Sequence, residues 1–138
     1  RSSLIQNRHQ RPGRIHLGPS PAGLGVGAGA PPIPADDGLL LFYHERGADQ
    51  VYTARACLLD SATGRVRAIT RQLVLTPELS WERKGDVDNV VFVQGAHRLD
   101  DGRIYLTYGA ADRAVGAAFI NEADLIASML PVDEGGSL

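Results

Sequence analysis

At 138 residues, 43% of them hydrophobic and 22% charged, the chain has the size and apolar content of one folded domain of roughly 100–150 residues. Its formal net charge of −2 offers no electrostatic footprint for nucleic acid or an anionic membrane, and no apolar run approaches the ~20 residues of a membrane span. The single cysteine, Cys57, excludes an internal disulfide and every paired-cysteine zinc pattern.

Residues 1–26 form a loop-rich entry segment, dense in Arg, Pro and Gly, with brief apolar periodicity around Arg14-Ile15-His16-Leu17. Gly27-Ala28-Gly29-Ala30-Pro31-Pro32-Ile33 follows. Glycine frees the backbone, while proline removes a donor and fixes φ near −65°, so this stretch predicts a stiff, shaped loop rather than a helix interior or central strand. Strand-like runs then cover 39–45, 51–60, 66–69 with 72–75, 89–98, 103–108 and 114–120, separated by Gly- and Asp-rich turn signals. Cys57, inside the second run, reads as a buried structural thiol. Trp81-Glu82-Arg83-Lys84-Gly85-Asp86 reads as a solvated loop, in which an exposed Trp beside carboxylates could stack on a sugar ring. Asp101-Gly102 between two apolar runs predicts a tight hairpin. Over 121–130 an N-cap residue, first-turn acids and apolar spacing predict a helix ended by Pro131.

Short strands with such turns predict an antiparallel all-β architecture, a sandwich, barrel or propeller. Leu40-Leu41-Phe42-Tyr43-His44 and Ile104-Tyr105-Leu106-Thr107-Tyr108-Gly109 echo each other loosely, as two successive propeller blades would. Polar groups collect where apolar strands end: His44 with Glu45, Tyr52, Asn89 and Asp112. Each has an ordinary structural role available, Asp112 being a natural turn residue. The four histidines (His9, His16, His44, His97) lack metal-ligand spacing. Nucleophile-elbow, phosphate-loop and dinucleotide fingerprints are missing. Composition and spacing alone end at an all-β domain with a polar pocket.

Three blocks, in order, resemble the C-terminal portion of glycoside hydrolase family 130, the β-mannoside phosphorylases and mannosidases. Gly27-Ala28-Gly29-Ala30-Pro31-Pro32-Ile33 resembles the family's Gly-Ala-Gly-Pro-Pro-Pro segment. Leu41-Phe42-Tyr43-His44, then Tyr52-Thr53-Ala54-Arg55-Ala56-Cys57-Leu58-Leu59-Asp60, resembles its Tyr-His strand and Tyr-Arg-Leu-Gly-Ala-x-Leu-Leu-Asp strand. Asp88-Asn89-Val90-Val91-Phe92 and Ile104-Tyr105-Leu106-Thr107-Tyr108-Gly109-Ala110-Ala111-Asp112 resemble its Asn-Val-Val-Phe and Tyr-Tyr-Gly-Ala-Ala-Asp blocks. The resemblance runs from about Gly27 to Leu130.

It implies a five-bladed β-propeller with the sugar site at the central axis. The strands here would fill about two four-stranded blades and part of a third, with 27–120 as blade strands and 121–130 as the terminal helix of one truncated propeller domain, 1–138. It also implies inverting phosphorolysis of a β-mannoside oligosaccharide to mannose 1-phosphate, with inorganic phosphate as co-substrate and no cofactor, metal, nucleic-acid or membrane partner. Homo-oligomers are compatible with this, and a cytoplasmic location is the default expectation. The general acid of the family is an aspartate in its N-terminal half. The present residues would then include no catalytic group, and the chain alone is expected to be inactive. His44, Tyr52 and Asp112 fall where the phosphorylases hold phosphate or the sugar of the −1 subsite. Two departures stand out. Gly25-Val26 replaces the basic residue expected before the Gly-Ala-Gly block, with Arg14 a nearby substitute, and Thr53-Ala54-Arg55 replaces Arg-Leu-Gly. The first opens a β-mannoside hydrolase alternative, with Glu45, Glu82 or Asp86 as base. A non-catalytic truncated propeller or sugar-binding remnant is the other alternative. Since the chain starts at Arg1, without methionine, it is expected to be a piece of a longer product or a trimmed form.

Overall fold

The computed structural model describes residues 23–133. In chain order these form β1 (Gly23–Ala28), β2 (Ile33–Ala35), β3 (Gly38–Gly47), β4 (Tyr52–Leu59), β5 (Val66–Thr70), α1 (Ser80–Arg83), β6 (Val91–Arg98), β7 (Arg103–Ala110), β8 (Ala114–Asn121), α2 (Glu122–Ala127) and β9 (Met129–Pro131). The fold is mostly β, as expected, in two open antiparallel sheets with two small helices. The larger sheet has the order β1-β3-β4-β5-β9, with β2 also on β3; the smaller is β6-β7-β8.

The run Leu39-Leu40-Leu41-Phe42-Tyr43 is apolar at every position because β3 is covered on both faces. Alternate side chains of a strand point to opposite faces. Leu40 and Phe42, with Ala54 and Ala56 of β4, join the core between the sheets, where Val91, Val93, Ile104, Leu106, Tyr108 and Ala110 meet them. Tyr43, Cys57, Leu59 and Ile69 form a second cluster on the other face. Cys57 is fully buried there, and burial pushes its thiol up to about 12, the inert thiol that the sequence predicts. The Asp101-Gly102 hairpin also forms. Gly102 takes φ +83°, and Leu99 N donates to Arg103 O at 2.8 Å.

The structure corrects four local expectations. Gly27 and Ala28 are not loop but the end of β1, whose first residues reach into the segment read as entry loop; they pair with His44 and Tyr43. Residues 72–75 give only a bridge, in which Ala54 N donates to Leu75 O at 2.9 Å. The predicted solvated loop contains α1, with Glu82 buried. The predicted helix over 121–130 stops at Ala127. Its N-cap is as expected, Asn121 Oδ1 accepting from Asp124 N at 3.0 Å. Pro131, however, disfavours helical φ/ψ at Leu130, and Met129–Pro131 instead pairs with β5. This return ties the end of the smaller sheet to the edge of the larger one. Among the described residues no helix is long and apolar enough to cross a membrane.

Candidate functional site

His44, Tyr52, Asn89 and Asp112, well separated in sequence, belong to one end of the two sheets. Tyr52 opens β4, and its backbone N–H donates to Asn89 O at 3.0 Å. The next residue, Val90, accepts from Ala111 N at 3.0 Å, and Ala111 O accepts from Val87 N at 3.1 Å. Ala111 and Asp112 make the β7–β8 turn, closed by Arg113 N donating to Ala110 O at 3.0 Å. Of the four non-glycine residues with positive φ among the described residues, three lie in this patch: Asn89 (59°), Ala111 (49°) and Asp112 (51°). Left-handed backbone costs an ordinary residue such as Ala111 roughly 1–2 kcal/mol, less at Asn89 and Asp112, and concentrates at functional sites.

His44 lies on the face of β3 that carries Leu40 and Phe42, diagonal to Tyr52 across the β3–β4 ladder. Its ring centroid is 3.9 Å from that of Phe92 and 5.9 Å from that of Tyr52. Nδ1 is buried without a hydrogen-bond partner among the described residues, and burial lowers the imidazole pKa, so the ring is neutral at pH 7. Gly27, its register partner, is what makes room: any Cβ there would run into the ring. The glycine-rich stretch therefore gives space to His44. The signal was in the sequence, but the pairing of Gly27 with His44, and Phe92 as the ring's platform, were not legible.

The other candidates are placed elsewhere. Glu45 points to the opposite face from His44, buried and 3.2 Å from Arg55. Arg55 also donates to Thr70 O at 3.0 Å; the cation displaced along β4 thus serves a structural pair. Glu82, 2% exposed, accepts from Tyr108 Oη at 2.6 Å, Glu78 N at 2.7 Å and Leu79 N at 2.8 Å. Burial alone would raise its pKa, but these three donors outweigh it and hold the carboxyl below its ordinary value. Its phenol partner Tyr108 is pushed up by burial and by that carboxylate. Trp81 stacks on Tyr108 at 6.1 Å and 18°, which engages one of its faces. A groove of about 360 Å³ beside this pair is lined by Leu73, Leu75, Thr76, Glu78 and Leu79. The buried role of Glu82 could have been read from its position three residues after Leu79, where an acidic side chain reaches back to helix-start amides. Asp86 is exposed, and Arg14 lies outside the described residues. Among those residues no group of three or more His, Cys, Asp or Glu is placed to hold a metal ion.

The chemistry available at the rim is that of a neutral imidazole, a phenol hydroxyl and an exposed carboxylate on a rigid turn, which together can bind oxyanions and sugar hydroxyls. Comparison with known proteins bears on this. A family model described as beta-1,4-mannooligosaccharide phosphorylase matches residues 6–130. The chain is 41% identical over 101 residues to a 1,2-beta-oligomannan phosphorylase of Thermoanaerobacter sp. (strain X514), covering 72% of this chain and 34% of that protein. It superposes on the beta-1,2-mannobiose phosphorylase of Listeria innocua, solved with beta-1,2-mannobiose, with TM-score 0.75 and 28% identity, over 81% of this chain and 33% of that one. Another solved structure, described as showing that the GH130 mannoside phosphorylases include glycoside hydrolases targeting beta-1,2 mannosidic linkages in Candida mannan, aligns with TM-score 0.62 and 28% identity, covering 71% of this chain and 30% of that one. The chain thus spans about a third of the length of the relatives it matches.

Proposed function

The chain belongs to glycoside hydrolase family 130, and on that premise we propose that it is part of an enzyme cleaving β-mannosides by inverting phosphorolysis. A phosphate oxygen attacks the anomeric carbon, the bond to the leaving sugar oxygen breaks, and an acid elsewhere in the polypeptide protonates that oxygen, giving mannose 1-phosphate. In this reading the open sheets are blades of a five-bladed propeller, and the residues described here form one portion of that single domain. The isolated chain binds but does not turn over, because the acid lies outside it.

What supports the reading is that His44, 5.9 Å from Tyr52, lies at the same end of the sheets as the β7–β8 turn that carries Asp112. His44, neutral at pH 7, offers one N–H to a phosphate oxygen and Tyr52 its hydroxyl, while Asp112 orients sugar hydroxyls. The test is made on a full-length polypeptide carrying this segment. Mannose 1-phosphate should form from a β-mannoside only when phosphate is supplied, and His44→Ala should raise KM for phosphate at least tenfold while changing KM for the mannoside less. Free mannose released at a phosphate-independent rate would overturn it.

One observation favours a second reading, hydrolysis. Gly25-Val26 stands where a cation beside phosphate is expected, and Arg55 is held by Glu45 and Thr70 O instead. The same assay separates the two, since a hydrolase releases mannose with or without phosphate.

A further inference from the structure

Phosphate brings negative charge at neutral pH, whereas the neutral imidazole of His44 and the hydroxyl of Tyr52 supply hydrogen-bond donors only. Several basic side chains are committed elsewhere: Arg55 to Glu45 on the opposite face of the sheet, Lys84 to Asp88, Arg98 to Glu122 and Arg103 to Asp101. Arg46 makes no ion pair or side-chain hydrogen bond among the described residues. Its place in the sheet is set by register. Arg46 lies two residues beyond His44 on β3, so the two share a face. Its direct partners are Gly25 on β1 and Tyr52 on β4. One row across the three strands therefore reads Gly25, Arg46, Tyr52, and the next reads Gly27, His44, Ala54. Directly opposite side chains in such a ladder have Cβ atoms about 4.5–5.5 Å apart. A Cβ on Gly25 would meet nothing within 4 Å, so the row is open on the β1 side of Arg46. Arg46 itself is half-buried, where its charge is screened less than that of Arg113, exposed on the turn beside Asp112.

We infer that Arg46 is a phosphate-binding residue, its guanidinium holding the tetrahedral oxyanion over the open Gly25 position, beside His44 and Tyr52. The planar fork offers two parallel N–H donors to two phosphate oxygens, and such paired charge-assisted bonds add both energy and orientation. The cation expected on β1, where Gly25-Val26 stands, is thereby supplied from the neighbouring strand. Arg46 has this role only in a phosphorylase, so the assignment rests on the reading proposed above.

The test is made on a full-length polypeptide carrying this segment, with inorganic phosphate as the varied substrate. Arg46→Gln, checked for retained fold by circular dichroism, should raise KM for phosphate roughly tenfold or more, the loss of a charge-assisted contact, and leave KM for the mannoside within about twofold. Arg46→Lys, which keeps the charge but loses the fork, should fall between that variant and the parent. Arg65→Gln removes the same charge at an exposed position just before β5 and should leave both constants within about twofold. Gly25→Lys in the Arg46→Gln background returns a cation to the same row, where a Cβ has room, and should recover most of the phosphate affinity. If the unmodified polypeptide makes mannose 1-phosphate and Arg46→Gln leaves the phosphate KM unchanged, the inference alone is overturned. Equal rises for phosphate and mannoside also overturn it, as does a double variant no better than Arg46→Gln. Phosphate-independent release of mannose by the unmodified polypeptide defeats the phosphorolysis reading and this assignment with it.

Discussion

Gly29 sits against the backbones of two strands at once, and Gly29→Ala tests whether the glycine-rich stretch is there for backbone approach. A Cβ on Gly29 would lie 2.7 Å from both the Phe42 and the Val93 carbonyl oxygens. Those atoms belong to β3 and β6, so neither can rotate aside, and the Gly29 N–H donated to Phe42 O at 3.1 Å must lengthen. Overpacking of this kind costs about 1–3 kcal/mol and the weakened hydrogen bond about 1 kcal/mol. The reduced entropy of the unfolded chain returns about 0.4–1 kcal/mol. The expected net loss is about 1–4 kcal/mol. Gly27→Ala is the matched control. There the new methyl meets only the far end of the His44 side chain, so stability should change by less than about 1 kcal/mol while the imidazole leaves Phe92. Urea unfolding followed by circular dichroism measures the first quantity. Chemical shifts of the His44 ring protons, displaced by the Phe92 ring current, measure the second. Gly29→Ala as stable as the parent would refute the reasoning. So would Gly27→Ala costing as much as Gly29→Ala with His44 shifts unchanged.

Three further outcomes are expected. The folded-state pKa of His44 is lowered by burial, so the unfolded chain binds its proton first. Stability should be complete above the ordinary histidine value of about 6.5 and fall below it until the folded value is passed, and a His44→Phe variant that keeps the same slope across that window would count against the buried neutral ring. Asp112→Gly relieves a positive φ and should raise stability by up to about 1 kcal/mol while weakening β-mannoside binding in the full-length protein; intact binding, measured by calorimetry, would remove Asp112 from the site. Glu82 has a depressed pKa, so its contribution is present above the ordinary carboxyl value and lost as pH falls through the folded one. Tyr108→Phe removes one of its donors and should move acid unfolding to higher pH, and superimposable acid curves would exclude that role.

The strands were legible because their apolar runs are bounded by Gly and Asp turns, and β7 and β8 were read nearly to their ends. What the sequence could not disclose was set by distant partners. Met129 and Leu130 have helical spacing, yet β5 offers a ladder and Pro131 excludes helix at its neighbour. Gly27 and Ala28 look like loop until β3 pairs with them. At the site, strand ends flagged His44, Tyr52, Asn89 and Asp112 individually. Their convergence depends on the Tyr52–Asn89 and Val90–Ala111 hydrogen bonds, whose sequence separations carry no local signal.

That convergence has a support outside the rim. Glu82 draws Glu78 N, Leu79 N and Tyr108 Oη onto one carboxylate, which fixes α1 against β7. The carbonyls of Glu82 and Arg83 then accept from Val90 N at 3.1 Å and Asn89 N at 3.2 Å. Asn89 is thereby held in its left-handed conformation, and Val90 O is presented to Ala111, the residue beside Asp112 in the strained turn. A buried charge with three donors is costly to leave half-satisfied, so removal of one donor is expected to loosen the rim. The carboxylate that looked like a candidate base is better understood as the anchor from which the strained turn is held.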